Sequence, residues 1–316
     1  MTTLILTRSD DVVVPDLVAE ALASLGEDDV VRIDTDAYPA SLTLSDDGDD
    51  AVLTHHGGRS LRLSSMRALW CRRSLVAASL PCEPAFAAAA AAQAHHAWDA
   101  AVARAADATV VVVNHPERER QAEHKPRQLG LARRLGFAVP ATIITNDPAA
   151  ARAFVDRVHD SGDRVVTKLL TPLSSTMGGD GPFVFTHTLT AADVEALAAV
   201  RVAPQIFQRR IKKAHDVRVQ VMGDVVVAGA TECRSDDWRI DSTGRFVPFL
   251  LDDDFADRCR ALCRALGLQT GALDFAVDDH GQAFFLEVNP AGEWGFLERD
   301  LGQGLPIALA RLLVAP

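Results

Sequence analysis

The chain of 316 residues is poor in cysteine, and its five cysteines are odd in number and include no CxxC pair. A disulfide framework is therefore not expected, and Cys259 and Cys263, four residues apart on a predicted helix, are interpreted as buried thiols. Because disulfides are rare in reducing compartments, this cysteine usage favours the cytoplasm as the place where the protein works.

An excess of positive charge is also missing, since the formal net charge is −11. A protein that grips nucleic-acid backbone needs many cations, so no nucleic-acid partner is predicted. One basic stretch, RRIKK at 209–213, contrasts with the acidic remainder. It is either a docking surface for an acidic peptide or a solvated charge run, and the sequence leaves both interpretations open.

Long hydrophobic runs are absent as well. The alanine-rich run at 85–94 has only about ten residues, half of the roughly 20 that a transmembrane helix needs. We predict instead an alanine-rich helix that continues to about residue 106, and no membrane partner. The N-terminus, MTTLILTRSDD, has no basic leader, so a signal peptide is not expected.

The composition and length suit a globular protein with two or three domains, because hydrophobic residues make up 48% and charged residues 24%. Strand, helix and strand patterns at 4–7, 14–25 and 30–34 predict an open α/β layer. An apolar run at 109–114 is followed by charged residues, which places the first boundary near residue 120. We therefore predict three segments, 1–120, 121–204 and 205–316.

The stretch 271–298 carries the strongest signal for a site. Two apolar runs, ALDFAV and AFFLEV, flank a polar turn, which is the pattern of a β-hairpin. Asp274 interrupts the first run, while Glu287 and Asn289 lie two residues apart at the end of the second and so share one face of a strand. Solvated surface acids are the alternative, but acids that interrupt apolar runs favour a metal site. Carboxylate and amide oxygens suit Mg²⁺.

A phosphate site is predicted from a second group of residues. Lys168 ends an apolar run and is followed by a loop that contains Gly178 and Gly179, whose backbone N–H groups could approach phosphate oxygens. The loop alone is weak, since it has neither a Walker GK[ST] nor a GxGxxG pattern. Arg218 shares one strand face with Asp216 and Gln220, which predicts that this face points to a polar cleft or to solvent. Together with the hairpin, the group indicates cations and Mg²⁺ arranged around phosphates.

In their order along the chain, these motifs resemble the ATP-grasp carboxylate–amine ligase superfamily. A closer resemblance is to the microviridin-type graspetide ligases, which cross-link ribosomal peptides. It covers most of the chain, is weakest over residues 10–65, and is carried by WCRR at 70–73, NHP at 114–116, KPRQLGLARRLGFAVPATIITND at 125–147, DWR at 237–239 and EVNPAGEWGFLE at 287–298.

The resemblance implies an α/β protein with the ATP-grasp fold, in which an N-terminal open α/β (pre-ATP-grasp) domain precedes two α+β lobes that clasp ATP. It also implies which residues bind the nucleotide, with the 205–208 segment at the adenine and the cations at the phosphates. The expected ATP contacts are Lys125, Lys168, Gly178, Gly179, Gln205, Ile206, Phe207, Gln208 and Arg218. Relatives often carry an acid after Gln208, where this chain has Arg209, and we have no physical account of that replacement.

The remaining roles follow from the same resemblance. Lys168, Arg218 and Arg239 are expected to act in catalysis, with Arg239 facing an acyl phosphate or the substrate carboxylate. The expected Mg²⁺ ligands are Asp274, Glu287 and Asn289.

The implied reaction joins an Asp or Glu side chain of a ribosomal precursor peptide to a Thr/Ser hydroxyl or a Lys amine of that peptide, at the expense of ATP. The implied assembly is a homodimer. Two alternatives stay open: an ATP-grasp ligase of the glutathione-synthetase or ribosomal-protein-modifying type, and a nucleotide-binding regulatory module. The joint presence of a metal set and phosphate cations argues against the regulatory module.

Overall fold

The computed structural model describes residues 2–55, 58, 60–73, 80, 82–109, 111–170, 186–232 and 244–315. The strands of this part of the chain are β1 Thr3–Thr7, β2 Val30–Asp34, β3 Leu42–Asp46, β4 Ala51–His55, β5 Ser60–Arg62, β6 Ala68–Cys71, β7 Val111–Val113, β8 Thr142–Thr145, β9 Val165–Lys168, β10 His187–Thr188, β11 Gln205–Arg209, β12 Lys213–Met222, β13 Val225–Thr231, β14 Val247–Pro248, β15 Thr270–Asp278 and β16 Ala283–Asn289. The α-helices are α1 Val13–Ser24, α2 Ala87–Ala108, α3 Pro116–Ala122, α4 Lys125–Arg134, α5 Pro148–Asp160, α6 Ala191–Glu195, α7 Asp253–Leu266, α8 Gly295–Leu301 and α9 Leu305–Val314.

The first sheet has the parallel order β2-β1-β6-β7, which confirms the predicted open α/β layer. Its two central strands, β1 and β6, are buried on both faces, as parallel strands are. Leu4 and Leu6 pack on one side in a cluster with Trp98 of α2. Ile5 points to the other side and packs with Val18 of α1 and Leu309 of α9. The last helix of the chain therefore packs against the first sheet.

A small antiparallel sheet, β3-β4-β5, follows β2 in the chain. Its apolar side chains, including Leu42 and Leu53, join the cluster around Trp98. Antiparallel strands joined by polar turns need only one buried face, which explains their alternating pattern.

The second sheet has the antiparallel order β10-β9-β11-β8 and packs against α5 through Phe154 and Phe207. Side chains cap two helices beside this sheet: Asp147 caps α5, and Thr190 forms a capping box at α6. Strand β11 lies inside this sheet, although the division predicted from the sequence assigns residues 205–209 to the third segment.

The third sheet has the antiparallel order β14-β13-β12-β15-β16. Val217 and Val219 of β12 face a core formed with α4 and α7. The opposite face of β12 carries Asp216, Arg218 and Gln220, which are all buried. Of the two environments predicted for this face, solvent is therefore wrong, and these polar side chains lie in a closed interior region.

Two short helices were not predicted from the sequence. Helix α3 contains the charged ERER run, and His115 caps its first turn. Helix α8 starts at Gly295, inside the stretch that follows the hairpin. Within the described residues, no helix is both long and apolar enough to cross a membrane.

Candidate active site

The end of the β15–β16 hairpin brings the three predicted metal ligands together. Asp274 and Glu287 are direct cross-strand partners, and a register irregularity follows at Phe275. Asn289 Nδ2 donates to Asp274 Oδ2 at 2.9 Å and to Glu287 Oε1 at 3.4 Å. Two carboxylates and one amide thus converge on one face of the hairpin.

Two cations balance these two carboxylates. Arg218 lies directly opposite Asp274 in the β12–β15 ladder and binds it with both arms, at 2.6 Å from Nε and 3.2 Å from Nη2. Lys125, the first residue of α4, donates to Glu287. The Arg218 side chain is only 8% exposed, whereas Glu287 retains 23%, so the open side of the cluster is at Glu287.

Burial raises the pKa of Asp274, and the neighbouring Glu287 raises it further, against the lowering effect of Arg218. Two carboxylates that share a site disfavour each other's ionisation, whereas an adjacent guanidinium favours it. The cluster therefore holds its negative charge only with the help of its cations. A divalent cation would relieve the same repulsion.

The donor set fits Mg²⁺, because all its ligand atoms are oxygens of carboxylates and an amide. Among the described residues, no group of three or more His, Cys, Asp or Glu side chains could hold a metal. The two carboxylates would thus be completed by Asn289 and by oxygens from outside the protein. This pattern is characteristic of Mg²⁺, which often shares its coordination shell with substrate phosphates.

The remaining predicted ATP contacts that the structure describes lie on the second sheet. Lys168 ends β9 and is paired with Ile206 of β11. Ile206, Phe207 and Gln208 are buried, and the Gln208 side chain donates to Thr142 Oγ1 at 2.9 Å. Gln205 is half-buried at the start of β11. Gly178, Gly179 and Arg239 lie outside the described residues, so their roles remain predictions.

The basic stretch at 209–213 is matched by acids. Arg209 pairs with Asp163 at 3.3 Å, and its guanidinium lies over Phe284. Lys212 pairs with Asp279 at 3.3 Å. Lys213 likewise pairs with Asp216 at 2.5 Å. The stretch is thus largely neutralised by neighbouring carboxylates.

Sequence reasoning missed the role of Glu293, which follows the hairpin. Its carboxylate binds Arg72 and Arg73, which directly follow strand β6 of the first sheet. Its backbone oxygen accepts a hydrogen bond from Arg218 at 3.1 Å. The WCRR motif was noted only as part of a resemblance. Two arginines at the end of a buried strand are the signal that could have pointed to an acid elsewhere in the fold.

A buried interface joins the first sheet to the third beside this site. Asn114 Nδ2 lies within hydrogen-bond distance of Glu119, Thr270 and the backbone oxygen of Pro290, and its Oδ1 accepts from the backbone of Thr270. Burial raises the pKa of Glu119 to about 8, against the lowering effect of the Asn114 hydrogen bond. Glu119 is therefore mostly neutral at pH 7.

Comparison with known proteins agrees with this architecture. A family model described as the MvdD pre-ATP grasp domain matches residues 2–117. A search of curated protein sequences found no match.

Several solved structures match the whole chain. The macrocyclase MdnC from Microcystis aeruginosa, solved with its precursor peptide MdnA, is 26% identical, with both chains covered to 100% and a TM-score of 0.87. The macrocyclase MdnB from the same organism is 29% identical, covers 100% of this chain and 99% of its own, and has a TM-score of 0.82. A RiPP-associated ATP-grasp ligase from Chryseobacterium gregarium, solved with ADP and a leader and core peptide, is 25% identical, with 99% and 96% covered and a TM-score of 0.86.

Proposed function

We propose that this protein, an ATP-grasp ligase with an MvdD-type pre-ATP-grasp domain, forms ester or amide cross-links within a ribosomal precursor peptide. One observation carries the proposal: Asp274, Glu287 and Asn289 converge with Lys125 and Arg218 at the hairpin end. Support for a peptide substrate comes from the full-length likeness to MdnC and to the Chryseobacterium ligase, both solved with peptides.

The substrates of the first step are Mg·ATP and an Asp or Glu side chain of the peptide. Asp274, Glu287 and Asn289 would hold the Mg²⁺, which when bound neutralises charge on the ATP phosphates. We assign phosphate contacts to Lys125 and Lys168, as well as to the backbone amides of Gly178 and Gly179.

The adenine is assigned to the 205–208 segment of β11, which comprises Gln205, Ile206, Phe207 and Gln208. Gln205 is the half-buried member of this segment, while the other three are buried. Because β11 pairs with β8 and β9, we also propose that the central lobe extends from residue 121 to Arg209 and that the C-terminal lobe follows it.

The chemistry has two steps. A carboxylate oxygen of the peptide attacks the γ-phosphorus, the bond to ADP breaks, and an acyl phosphate forms. A hydroxyl oxygen or an amine nitrogen of the same peptide then attacks the acyl carbon, loses its proton, and displaces phosphate. Arg218 would neutralise charge on the transferring phosphoryl group and Arg239 charge on the acyl phosphate, because cations aimed at developing charge lower such barriers.

The test uses a precursor peptide with a leader and a core rich in Thr/Ser and Asp/Glu, of the kind expected to be encoded beside the gene. Incubation with enzyme, Mg²⁺ and ATP should lower the peptide mass by about 18 Da per cross-link, since each condensation removes one water. Tandem mass spectrometry should place each loss between an acid and a hydroxyl or amine. ATP consumption on free amino acids with an unchanged peptide mass would instead support the glutathione-synthetase or ribosomal-protein-modifying type.

We further propose that the enzyme works in the cytoplasm and as a homodimer. The cysteines in the described part of the chain are all free, which suits a reducing compartment. Sedimentation of the purified protein should give twice the 33.9 kDa of one chain. A single-chain mass at micromolar concentration would contradict the dimer.

A further inference from the structure

Glu293 is held by four donors that come from two parts of the molecule. Arg72 Nη2 donates to Oε2 at 2.5 Å and Arg73 Nη2 donates to the same oxygen at 3.0 Å. The backbone N–H groups of Trp294 and Gly295 donate to Oε1 at 3.1 and 2.7 Å. A carboxylate offers about four lone-pair sites, so these four donors occupy it.

Arg72, one of the two arginines that bind Glu293, is held in place by its own neighbours. Arg72 is buried, and Asp11 binds it at 2.6 and 3.3 Å. Its guanidinium also lies 5.7 Å from the ring centroid of Trp70 and 5.9 Å from that of Trp294. Asp11 in turn accepts from Thr7 Oγ1 at 2.6 Å. The N-terminal sheet thus holds the Arg72 guanidinium in a fixed position, where it binds Glu293.

The backbone around Glu293 has no room to shift. A Cβ atom at Gly292 would lie 2.5 Å from Ala272 Cβ, and one at Gly295 would lie 2.6 Å from Val14 Cγ2. Only glycine allows such close approaches of backbone to its neighbours. The segment is therefore clamped between strand β15 and helix α1.

The catalytic arginine rests on this clamped segment. Arg218 Nη1 donates to the Glu293 backbone oxygen at 3.1 Å, and its guanidinium lies 5.6 Å from the ring centroid of Phe296. Two residues of the same short segment thus contact the group that we assign to the γ-phosphate. Asp274 accepts hydrogen bonds from Nε and Nη2 of the same guanidinium.

We propose that Glu293 is a positioning residue, whose side chain is fastened by Arg72 and Arg73 so that its backbone oxygen holds Arg218 at the γ-phosphate. The inference rests on the proposed function in one respect, the role of Arg218. It adds that the N-terminal domain sets the geometry of the nucleotide site.

The test measures nucleotide affinity by calorimetry and needs no peptide. AMPPNP and ADP, each with Mg²⁺, differ by the γ-phosphoryl group, so the ratio of their dissociation constants reports on Arg218. In Glu293→Gln the affinity for AMPPNP should fall about five- to tenfold relative to that for ADP, as expected when most of one charge-assisted hydrogen bond is lost. Arg73→Ala should act in the same direction, and the double variant should lose no more than Glu293→Gln alone.

The matched control is Arg104→Ala. Arg104 and Asp46 form a pair with side-chain exposures of 35% and 32%, close to the 35% and 36% of Arg73 and Glu293, but in the region of α2 and β3. Arg104→Ala should leave the ratio of the AMPPNP and ADP dissociation constants unchanged. It should alter the melting temperature by about as much as Arg73→Ala does. If Glu293→Gln weakens AMPPNP and ADP by the same factor, or weakens neither, the ratio stays that of the wild type and the proposal is overturned.

A third variant separates the role of Arg218 at the γ-phosphate from the positioning role of Glu293. Arg218→Ala should lower the AMPPNP affinity more than Glu293→Gln does. If Arg218→Ala leaves the ratio unchanged, the role given to Arg218 is wrong and the positioning role falls with it. If the ratios behave as expected but no peptide is cross-linked, only the assignment of the peptide substrate is contradicted.

Discussion

Two arginine–aspartate pairs with little solvent exposure, one in the first sheet's domain and one at the hairpin, have almost the same geometry. Arg72 binds Asp11 at 2.6 and 3.3 Å, and Arg218 binds Asp274 at 2.6 and 3.2 Å. Burial raises the pKa of both acids, but at Asp11 hydrogen bonds from Arg72 and Thr7 outweigh it and the pKa is lowered. At Asp274 burial prevails and the pKa is raised.

The difference lies in what else faces each carboxylate. Asp11 receives an additional hydroxyl hydrogen bond, whereas Asp274 has a second carboxylate, Glu287, as its cross-strand neighbour. The first pair is therefore a completed ion pair that joins elements of the N-terminal domain. The second is a charged cluster with unrelieved repulsion, as expected where a cation and phosphates are to be bound.

The largest expected effect concerns the completed pair. Asp11→Asn leaves the buried Arg72 guanidinium with Glu293 as its remaining charged partner, so the free energy of unfolding should fall by about 3 kcal/mol, the lower end of the range for a broken buried pair. Asp274→Asn should lower it by less than about half as much, because this change also removes the repulsion with Glu287. Urea unfolding of both variants measures the difference. Equal losses would show that the two pairs do not differ in the way argued.

The second effect is on turnover. Glu287→Gln keeps the shape of the side chain but removes a charge from the proposed Mg²⁺ site, so turnover of ATP with peptide should fall about 100-fold or more. The far-ultraviolet circular dichroism should stay that of the wild type. Asp279→Asn, in the exposed turn of the same hairpin, is the control and should retain activity. Retained turnover in Glu287→Gln would rule out its assignment as a metal ligand.

Glu119 is a third carboxyl group for this comparison, and its hydrogen-bond donor is a neutral amide instead of an arginine. Burial, with a smaller contribution from the nearby Glu123 carboxylate, raises the pKa of Glu119 to about 8 against a hydrogen bond from the neutral Asn114 amide. The folded state thus binds a proton more tightly than the unfolded state, and wild-type stability should fall as the pH rises from about 4.5 to about 8.

Glu119→Gln should remove this pH dependence. It should match the wild type near pH 4.5 and exceed its free energy of unfolding at pH 8 by on the order of 1–2 kcal/mol, a reduced figure because the residue is partly exposed. Urea midpoints at the two pH values provide the measurement. A wild-type stability that rises over this interval, after subtraction of the Glu119→Gln curve, would contradict a neutral Glu119.

The hairpin and its ligands could be predicted because the information is local. Strand alternation alone puts Glu287 and Asn289 on one face, and polar residues in apolar runs indicate a buried site. Arg218 was found by the same alternation, but its position opposite Asp274 depends on the register between β12 and β15. No spacing within one strand specifies that register.

The contacts of Glu293 could not be predicted, because they join residues about 220 positions apart in the chain. Such contacts depend on how the first sheet packs on the third. The residue pattern of a single strand or helix does not specify that packing. The short helix α3 was missed for a different reason. Its ERER run has no apolar stripe, and only its start is marked, by Pro116 in the first turn and by the His115 cap.

The smallest expected effect concerns an ion pair in water. Lys212 and Asp279 are 88% and 55% exposed and 3.3 Å apart, so they lack the burial that gives the two arginine–aspartate pairs their strength. Lys212→Ala should change the free energy of unfolding by less than about 0.5 kcal/mol. Because Asp279 and other acids already neutralise much of the 209–213 stretch, the KM for the peptide should also change less than about twofold. Steady-state kinetics at two salt concentrations measures this. A several-fold rise in KM that disappears at high salt would mean that the stretch docks an acidic peptide, and that an exposed pair can serve binding without contributing to stability.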